Sequence, residues 1–228
     1  MIICSLLILI NCGCTSNQTS QQKQAVQQNK RVILIGASVG QAWDLKDLPD
    51  RLKDVNLTLE SVAIYQFDKT EALDEVLMRP NRKLRFTRSY IKGFFMPAPQ
   101  LPGAIIIKEC ASYFPGDIAS YQQLLMNWVK RVRDAHMQII VATVPPVTYE
   151  RAGKRTGQIE SIWEFNDWIR QYAAREHIPL LDLEASLRKS KNDRYLRDDL
   201  TSGDGLHLNK KAYDKLDKLL LDTLRSKD

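Results

Sequence analysis

Hydrophobic positions in this chain fall into short, nearly unbroken runs, separated by longer segments in which they recur every three or four residues. The runs are Arg31 to Ile35, Leu59 to Ile64, Ala104 to Ile107, Gln138 to Thr143 and Leu180 to Leu183. Near-continuous Ile/Val/Leu content predicts parallel strands buried on both faces. Between the runs, Ile118, Tyr121, Leu125, Trp128 and Val132 make one helical stripe, and Ile162, Phe165, Ile169 and Tyr172 make another. A last helix is predicted after His207, with Asn209 as its cap and Tyr213, Leu216, Leu220 and Leu224 on one face. Strands alternating with helices predict an α/β fold with the sheet covered on both sides, and ligands in such folds bind beyond the carboxyl ends of the strands.

The amino end departs from this pattern. Met1 to Ile10 is nearly all apolar, Cys12-Gly13-Cys14 follows, and residues 15–30 hold six Gln among Ser, Thr, Asn and Lys. Ten apolar residues are too few to span a bilayer and read instead as an export signal. A cysteine just after the apolar stretch resembles a lipoprotein signal, with Cys14 as the lipidated residue and Cys12 as the alternative. No Lys or Arg precedes the apolar run, and Asn11 stands three residues before Cys14, both unlike that signal. The expected division is a signal segment over 1–14, a flexible polar tether over 15–30 and one folded domain over 31–228. Pro and Gly from Gly93 to Gly103 and at Pro145-Pro146 mark loops at strand ends, not domain boundaries. The expected location is the cell envelope, with the membrane reached through a lipid anchor.

The whole chain has 228 residues, 44% hydrophobic and 26% charged, with a net charge of +6. No Asp or Glu occurs from Val76 through Lys108, whereas Arg79, Arg82, Lys83, Arg85, Arg88 and Lys92 do, interleaved with Phe86, Tyr90, Phe94 and Phe95. Such a segment is either a solvated helix face or a contact for anionic headgroups or acidic polysaccharide, and export argues against nucleic acid. Three of the four cysteines lie in the signal region, leaving Cys110 alone in the domain, so neither a disulfide framework nor a cysteine metal site is available.

Two motifs carry chemistry. The first apolar run stops at Gly36-Ala37-Ser38-Val39-Gly40, and Asp204-Gly205-Leu206-His207 follows near the carboxyl end. Acyl transfer needs a hydroxyl, a base to activate it, a group to orient the base and donors for the oxyanion. Ser38, His207 and Asp204 are the candidates for the first three. His136 and His177 sit between a helix and a strand and read as residues at helix carboxyl ends. A dinucleotide fingerprint needs glycine where Ser38 and Gln41 stand, and no P-loop lysine is present. No metal or cofactor is implied. Ser202-Gly203-Asp204-Gly205 alone could be a simple turn; the histidine and capped helix that follow favour the catalytic reading.

These residues resemble the SGNH, or GDSL-like, hydrolase superfamily over roughly Arg31 to the end. Ser38 matches the nucleophile of the first block, and Asp204 and His207 match the last. Phe165-Asn166-Asp167-Trp168 and Ile178 to Leu183 also look like the late helix and strand of that family. The resemblance implies a three-layer α/β/α sandwich with a flavodoxin-like, five-stranded parallel sheet. It falters in the middle, where the family places a glycine after the second strand and Gly-x-Asn-Asp after the third; this chain has Gln66 and Lys108-Glu109-Cys110-Ala111.

The expected oxyanion donors are therefore the backbone amides of Ser38 and Gln66, with Cys110 where the asparagine would be. A thiol is a poor donor. Cys110 is also an alternative nucleophile or a buried core residue. Tyr149 and Arg151, in a loop with Glu150, Lys154 and Arg155, could contact hydroxyls or carboxylates of a substrate. The implied activity is serine ester hydrolysis of a small acyl group, such as O-acetyl, on a carbohydrate. The alternatives are a binding or assembly protein of the same fold with weak turnover, and a lipase or thioesterase at the membrane.

Overall fold

The structure is a computed structural model that describes residues 31–52, 57–78 and 102–225. The signal and tether segments with Cys14, and the basic aromatic segment from Arg79 to Phe95, lie outside the described residues.

Five parallel strands are ordered β2-β1-β3-β4-β5: β1 Arg31–Gly36, β2 Thr58–Ala63, β3 Ala104–Ile107, β4 Gln138–Ala142 and β5 Leu180–Leu181. This is the doubly wound order expected from the resemblance. Alternate residues of each strand enter opposite layers. Ile33, Ile35, Ile105, Ile107, Ile139 and Val141 pack with α3 (Thr70–Met78), α4 (Ile118–Asp134) and α6 (Gln158–Arg175). Val32, Leu34, Ile106 and Ile140 face the other way, toward α1 (Val39–Ala42), α2 (Leu48–Arg51), α7 (Leu183–Leu187) and α8 (Lys210–Arg225). Burial on both faces is why β1, β3 and β4 read as apolar runs, whereas the edge strand β2 buries Leu59 and Val62 and carries Glu60 and Ser61 between them. The remaining helix, α5 (Tyr149–Ala152), is a single turn beyond β4.

The fifth strand is shorter than the apolar run Leu180 to Leu183 suggested. It ends at Leu181 because Asp182 turns to cap α7, accepting from Ala185 N at 3.1 Å and from Thr143 Oγ1 at 3.0 Å. Asn209 caps α8 as its sequence indicated, accepting from Ala212 N at 3.1 Å. His136 and His177 follow α4 and α6 with φ of 57° and 51°, and the amide after each bonds back into its helix, Met137 N to Val132 O and Ile178 N to Ala173 O. Both are therefore left-handed residues closing a helix, and they reside at the amino end of the strands, away from Ser38. Among the described residues, no helix is long and apolar enough to cross a membrane.

Candidate active site

In the observed strand order the winding reverses between β1 and β3, so the crevice of the sheet opens where those two strands end. The chain leaves β1 through Gly36, Ala37 and Ser38 and enters α1 at once. There is no room for larger residues: a Cβ on Gly36 would stand 3.0 Å from the Lys108 carbonyl, and one on Gly40 would stand 2.6 Å from Leu34 Cδ2. The β3 exit brings Cys110 to the same place, with Ser38 Oγ 3.7 Å from Cys110 Sγ and Ser112 Oγ 3.1 Å from that sulfur. Burial would raise the Cys110 pKa, but the nearby Lys108 charge and the Ser112 and Ser38 hydroxyls outweigh it and move the thiol down.

Three charged residues are sealed beneath this turn. The Lys108 stem packs under Gly36 and Gly40, and its Nζ lies 3.5 Å from the Ala37 carbonyl. Burial lowers its pKa from 10.5 to about 8. Glu109 and Lys69 form an ion pair with side chains 2% and 0% exposed, and Lys69 Nζ also donates to the Phe67 carbonyl at 3.0 Å. Burial pushes the Glu109 carboxyl up while Lys69 acts against that. Glu109 thus points inward, and its charge is met by a lysine.

The unfolded chain binds a proton at Lys108 up to pH 10.5, the folded chain only up to about 8, so this residue makes stability rise with pH between those values. Lys108→Met is expected to raise the melting temperature at neutral pH and to remove that rise. Thermal melts across the range check it.

On the opposite wall, Asp204 and His207 are held in one tight loop. Asp204 Oδ1 accepts the backbone N–H of Leu206 at 2.9 Å and of His207 at 2.7 Å, while Oδ2 lies 2.5 Å from His207 Nδ1. Partial burial would raise the Asp204 pKa, but the two amides and the imidazole hold it at about 2. An ionised Asp204 accepts a hydrogen bond from Nδ1–H, so Nε2 is the free acceptor of the ring.

The loop is docked, not loose. Thr148 N donates to the Gly205 carbonyl at 2.9 Å, and Gly205 has φ 74°, with a Cβ there falling 2.3 Å from Thr148 Oγ1 and 2.9 Å from Arg151 Cβ. Only glycine satisfies both conditions. Behind Thr148, the buried Asn166 grips Val144, accepting from its N at 2.7 Å and donating to its O at 3.0 Å, and also donates to Glu184 at 2.6 Å. Asn166→Leu is expected to cost about 2–4 kcal/mol, since it leaves the buried N–H and C=O of Val144 without the asparagine that meets both. Denaturant unfolding, with the slope unchanged, would measure it.

Of the residues the sequence singled out, Ser38 meets Cys110, Asp204 meets His207, Arg151 on α5 lies against Gly205 of the Asp204–His207 loop, and Tyr149 on the same turn stands exposed beside Tyr195. Among the described residues, no hydrogen bond joins Ser38 to His207; the partner of Ser38 Oγ is Cys110. Catalytic hydrogen bonds without substrate are often long and tighten only in the complex. Gln66 is exposed at the β2 exit, and its carbonyl accepts from Lys69 Nζ at 3.3 Å. Lys69 and Thr148 carry part of the site's support and were not flagged by any motif, and Asn166 was flagged only within the family-like stretch Phe165 to Trp168, without a role. Among the described residues, no group of His, Cys, Asp and Glu side chains is placed to hold a metal ion.

Residues 112–215 match the family model of the GDSL-like lipase/acylhydrolases, a stretch that includes Asp204 and His207. That stretch is similar to the GDSL-like hydrolases and spans a little under half of the chain. No curated protein matches the chain. Among solved structures, a GDSL-like lipase from Bacteroides thetaiotaomicron is 16% identical, with 92% of this chain and 96% of that chain covered and a TM-score of 0.63. An acetyl xylan esterase is 16% identical, with 85% and 99% covered and a TM-score of 0.61. A lipase/acylhydrolase from Enterococcus faecalis is 14% identical, with 86% and 96% covered and a TM-score of 0.56. These likenesses show that the chain shares its fold with those proteins over nearly their whole length.

Proposed function

We propose that this chain is a serine ester hydrolase acting on a small acyl group, such as O-acetyl, carried by a carbohydrate. The observation that carries the reading is the Asp204–His207 pair, locked at 2.5 Å at the same edge of the sheet on which Ser38 ends β1. In this mechanism His207 Nε2 takes the proton of Ser38 Oγ as the oxygen bonds to the ester carbonyl carbon. The imidazolium, held by Asp204, returns that proton to the leaving alcohol as the C–O bond breaks. Water then gives a proton to His207 and attacks the acyl-serine, and the imidazolium returns that proton to Ser38 Oγ as the acyl C–O bond breaks and the acid leaves. Backbone amides of Ser38 and Gln66 are the proposed oxyanion donors, with Cys110 beside them.

The family match supports an acyl ester as the substrate, and the likeness to an acetyl xylan esterase supports an acetyl group on a glycan. Hydrolysis of p-nitrophenyl esters of increasing chain length tests the reading: kcat/KM is expected to be highest for acetate or butyrate. A maximum at long chains would replace it with the lipase or thioesterase reading. The apolar segment before Cys14 supports export and lipid anchoring at that residue; Cys14→Ser is expected to release the protein from the membrane fraction, and retention would reject the anchor.

One observation favours a second reading, a binding protein of the same fold with weak turnover: the thiol of Cys110 is the neighbour of Ser38. If a missing donor limits the reaction, Cys110→Asn is expected to raise kcat, by up to about a hundredfold, the size of one oxyanion hydrogen bond. Unchanged kcat would show that the thiol is not limiting.

A further inference from the structure

The two large hydrophobic side chains that stand out to solvent among the described residues are Tyr65, 66% exposed, and Tyr149, 70% exposed. Both belong to the edge of the sheet that carries Ser38. Tyr65 follows β2, one strand to one side of Ser38, and its hydroxyl donates to Gln41 on α1. Tyr149 follows β4, two strands to the other side, and is braced edge-on by Tyr195 at 5.2 Å, itself edge-on to Trp163 at 5.5 Å. Three strand spacings separate β2 from β4, about 14 Å. That is wider than a small ester needs, and braced tyrosines with an open face suit the flat apolar faces of sugar rings.

Charge narrows the ligand further. Three carboxylates around the cleft are met by cations or an imidazole, Asp204 by His207, Glu109 by Lys69 and Glu150 by Lys154 at 3.0 Å, while Glu160 and Asp193 lie near Tyr195, the ring that braces Tyr149. Two guanidinium groups are not answered by acids. Arg155 donates to the Ser112 carbonyl at 2.6 Å, and the half-buried Arg151, in contact with the Gly205 position, has no side-chain partner among the described residues. A half-buried guanidinium beside the catalytic loop with no carboxylate of its own is a receptor for an anion, and its fork fits a carboxylate.

We propose that Tyr149 and Arg151 form a subsite for a carboxylate-bearing sugar ring next to the reacting ester, with Tyr65 receiving a further ring across Ser38. The preferred substrate is then an acylated acidic oligosaccharide. This rests on the serine esterase reading and adds the charge and the length of the chain that is bound.

The test uses the full-length protein with three substrates: p-nitrophenyl acetate, O-acetylated tetragalacturonate and O-acetylated xylotetraose. The acidic oligosaccharide is expected to exceed the neutral one in kcat/KM by about tenfold at low salt, with the gap narrowing in high salt. Arg151→Gln is expected to lower the acidic-to-neutral ratio about tenfold, and Arg151→Lys to retain part of it. Tyr149→Ala is expected to lower kcat/KM for both oligosaccharides severalfold relative to p-nitrophenyl acetate. Equal rates on the two oligosaccharides, or a ratio that Arg151→Gln does not move, would overturn the subsite while p-nitrophenyl acetate turnover left the esterase standing. Preference for anionic phospholipid vesicles over either oligosaccharide would also overturn it. No turnover of any of these esters by the wild-type protein would strike the esterase reading itself.

Discussion

Ser38→Ala and His207→Ala are each expected to lower kcat on a short-chain ester by roughly a thousandfold or more, and the double variant is expected to be little worse than either alone. Residues that act as one unit in a proton transfer are not additive: once the nucleophile or its base is gone, the other has nothing left to do. Asp204→Asn is expected to cost on the order of 10⁴-fold while leaving the fold intact, because an amide at Oδ2 no longer fixes the imidazole with its Nε2 lone pair facing outward. The two backbone amides now bonded to Asp204 Oδ1, from Leu206 and His207, can still be met by the asparagine carbonyl. Steady-state kinetics on p-nitrophenyl acetate measure all four variants. Additive losses for Ser38→Ala and His207→Ala would mean that the two residues do not share a proton.

Lys69→Met is expected to destabilise the protein by about 3–5 kcal/mol, a fall in melting temperature on the order of 10 °C. The variant removes the one cation bonded to Glu109 and leaves a carboxylate buried at 2% exposure, whose Oε1 already has no hydrogen-bond partner. The carboxyl then titrates higher in the folded state than in the unfolded one. The folded state binds the extra proton in that window, so the deficit grows as pH rises and is smaller near about pH 5 than near about pH 8. Removing both charges, as Lys69→Met with Glu109→Leu, is expected to recover most of the loss, since a buried ion pair does little better than apolar residues of similar volume. Thermal melts at the two pH values distinguish this from simple overpacking, which would be insensitive to pH. Because Glu109 precedes Cys110 directly, activity should fall along with stability.

What could be read from the sequence follows from the length scale of each interaction. Parallel strands buried on both faces announce themselves as apolar runs, so all five strand positions were visible, and Asn209 revealed the start of the last helix by its capping chemistry. Asp204 and His207 were legible because three residues of one loop make the whole pair. Ser38 was legible through the small residues that crowding against Lys108 and Leu34 imposes on its turn. Long-range partnerships were not. Nothing local distinguishes Lys69, sealed against Glu109 forty positions away, from a solvated lysine, and Asn166 shows its grip on Val144 only once α6 lies beside the β4 exit. The end of β5 was missed for a related reason: Asp182 sits in an apolar run yet stops the strand by capping α7. The exposed faces of Tyr65 and Tyr149 became visible only when the strand order placed them on either side of Ser38.

The central claim is that Ser38 is a nucleophile activated by His207. Intact-mass analysis of the purified protein after reaction with a fluorophosphonate tests it most directly, with Ser38→Ala and His207→Ala treated in parallel. A single adduct on the wild type, mapped to Ser38 and lost in both variants, is the predicted result. A folded wild-type protein that stays unlabelled, or labelling that persists in Ser38→Ala, would contradict it.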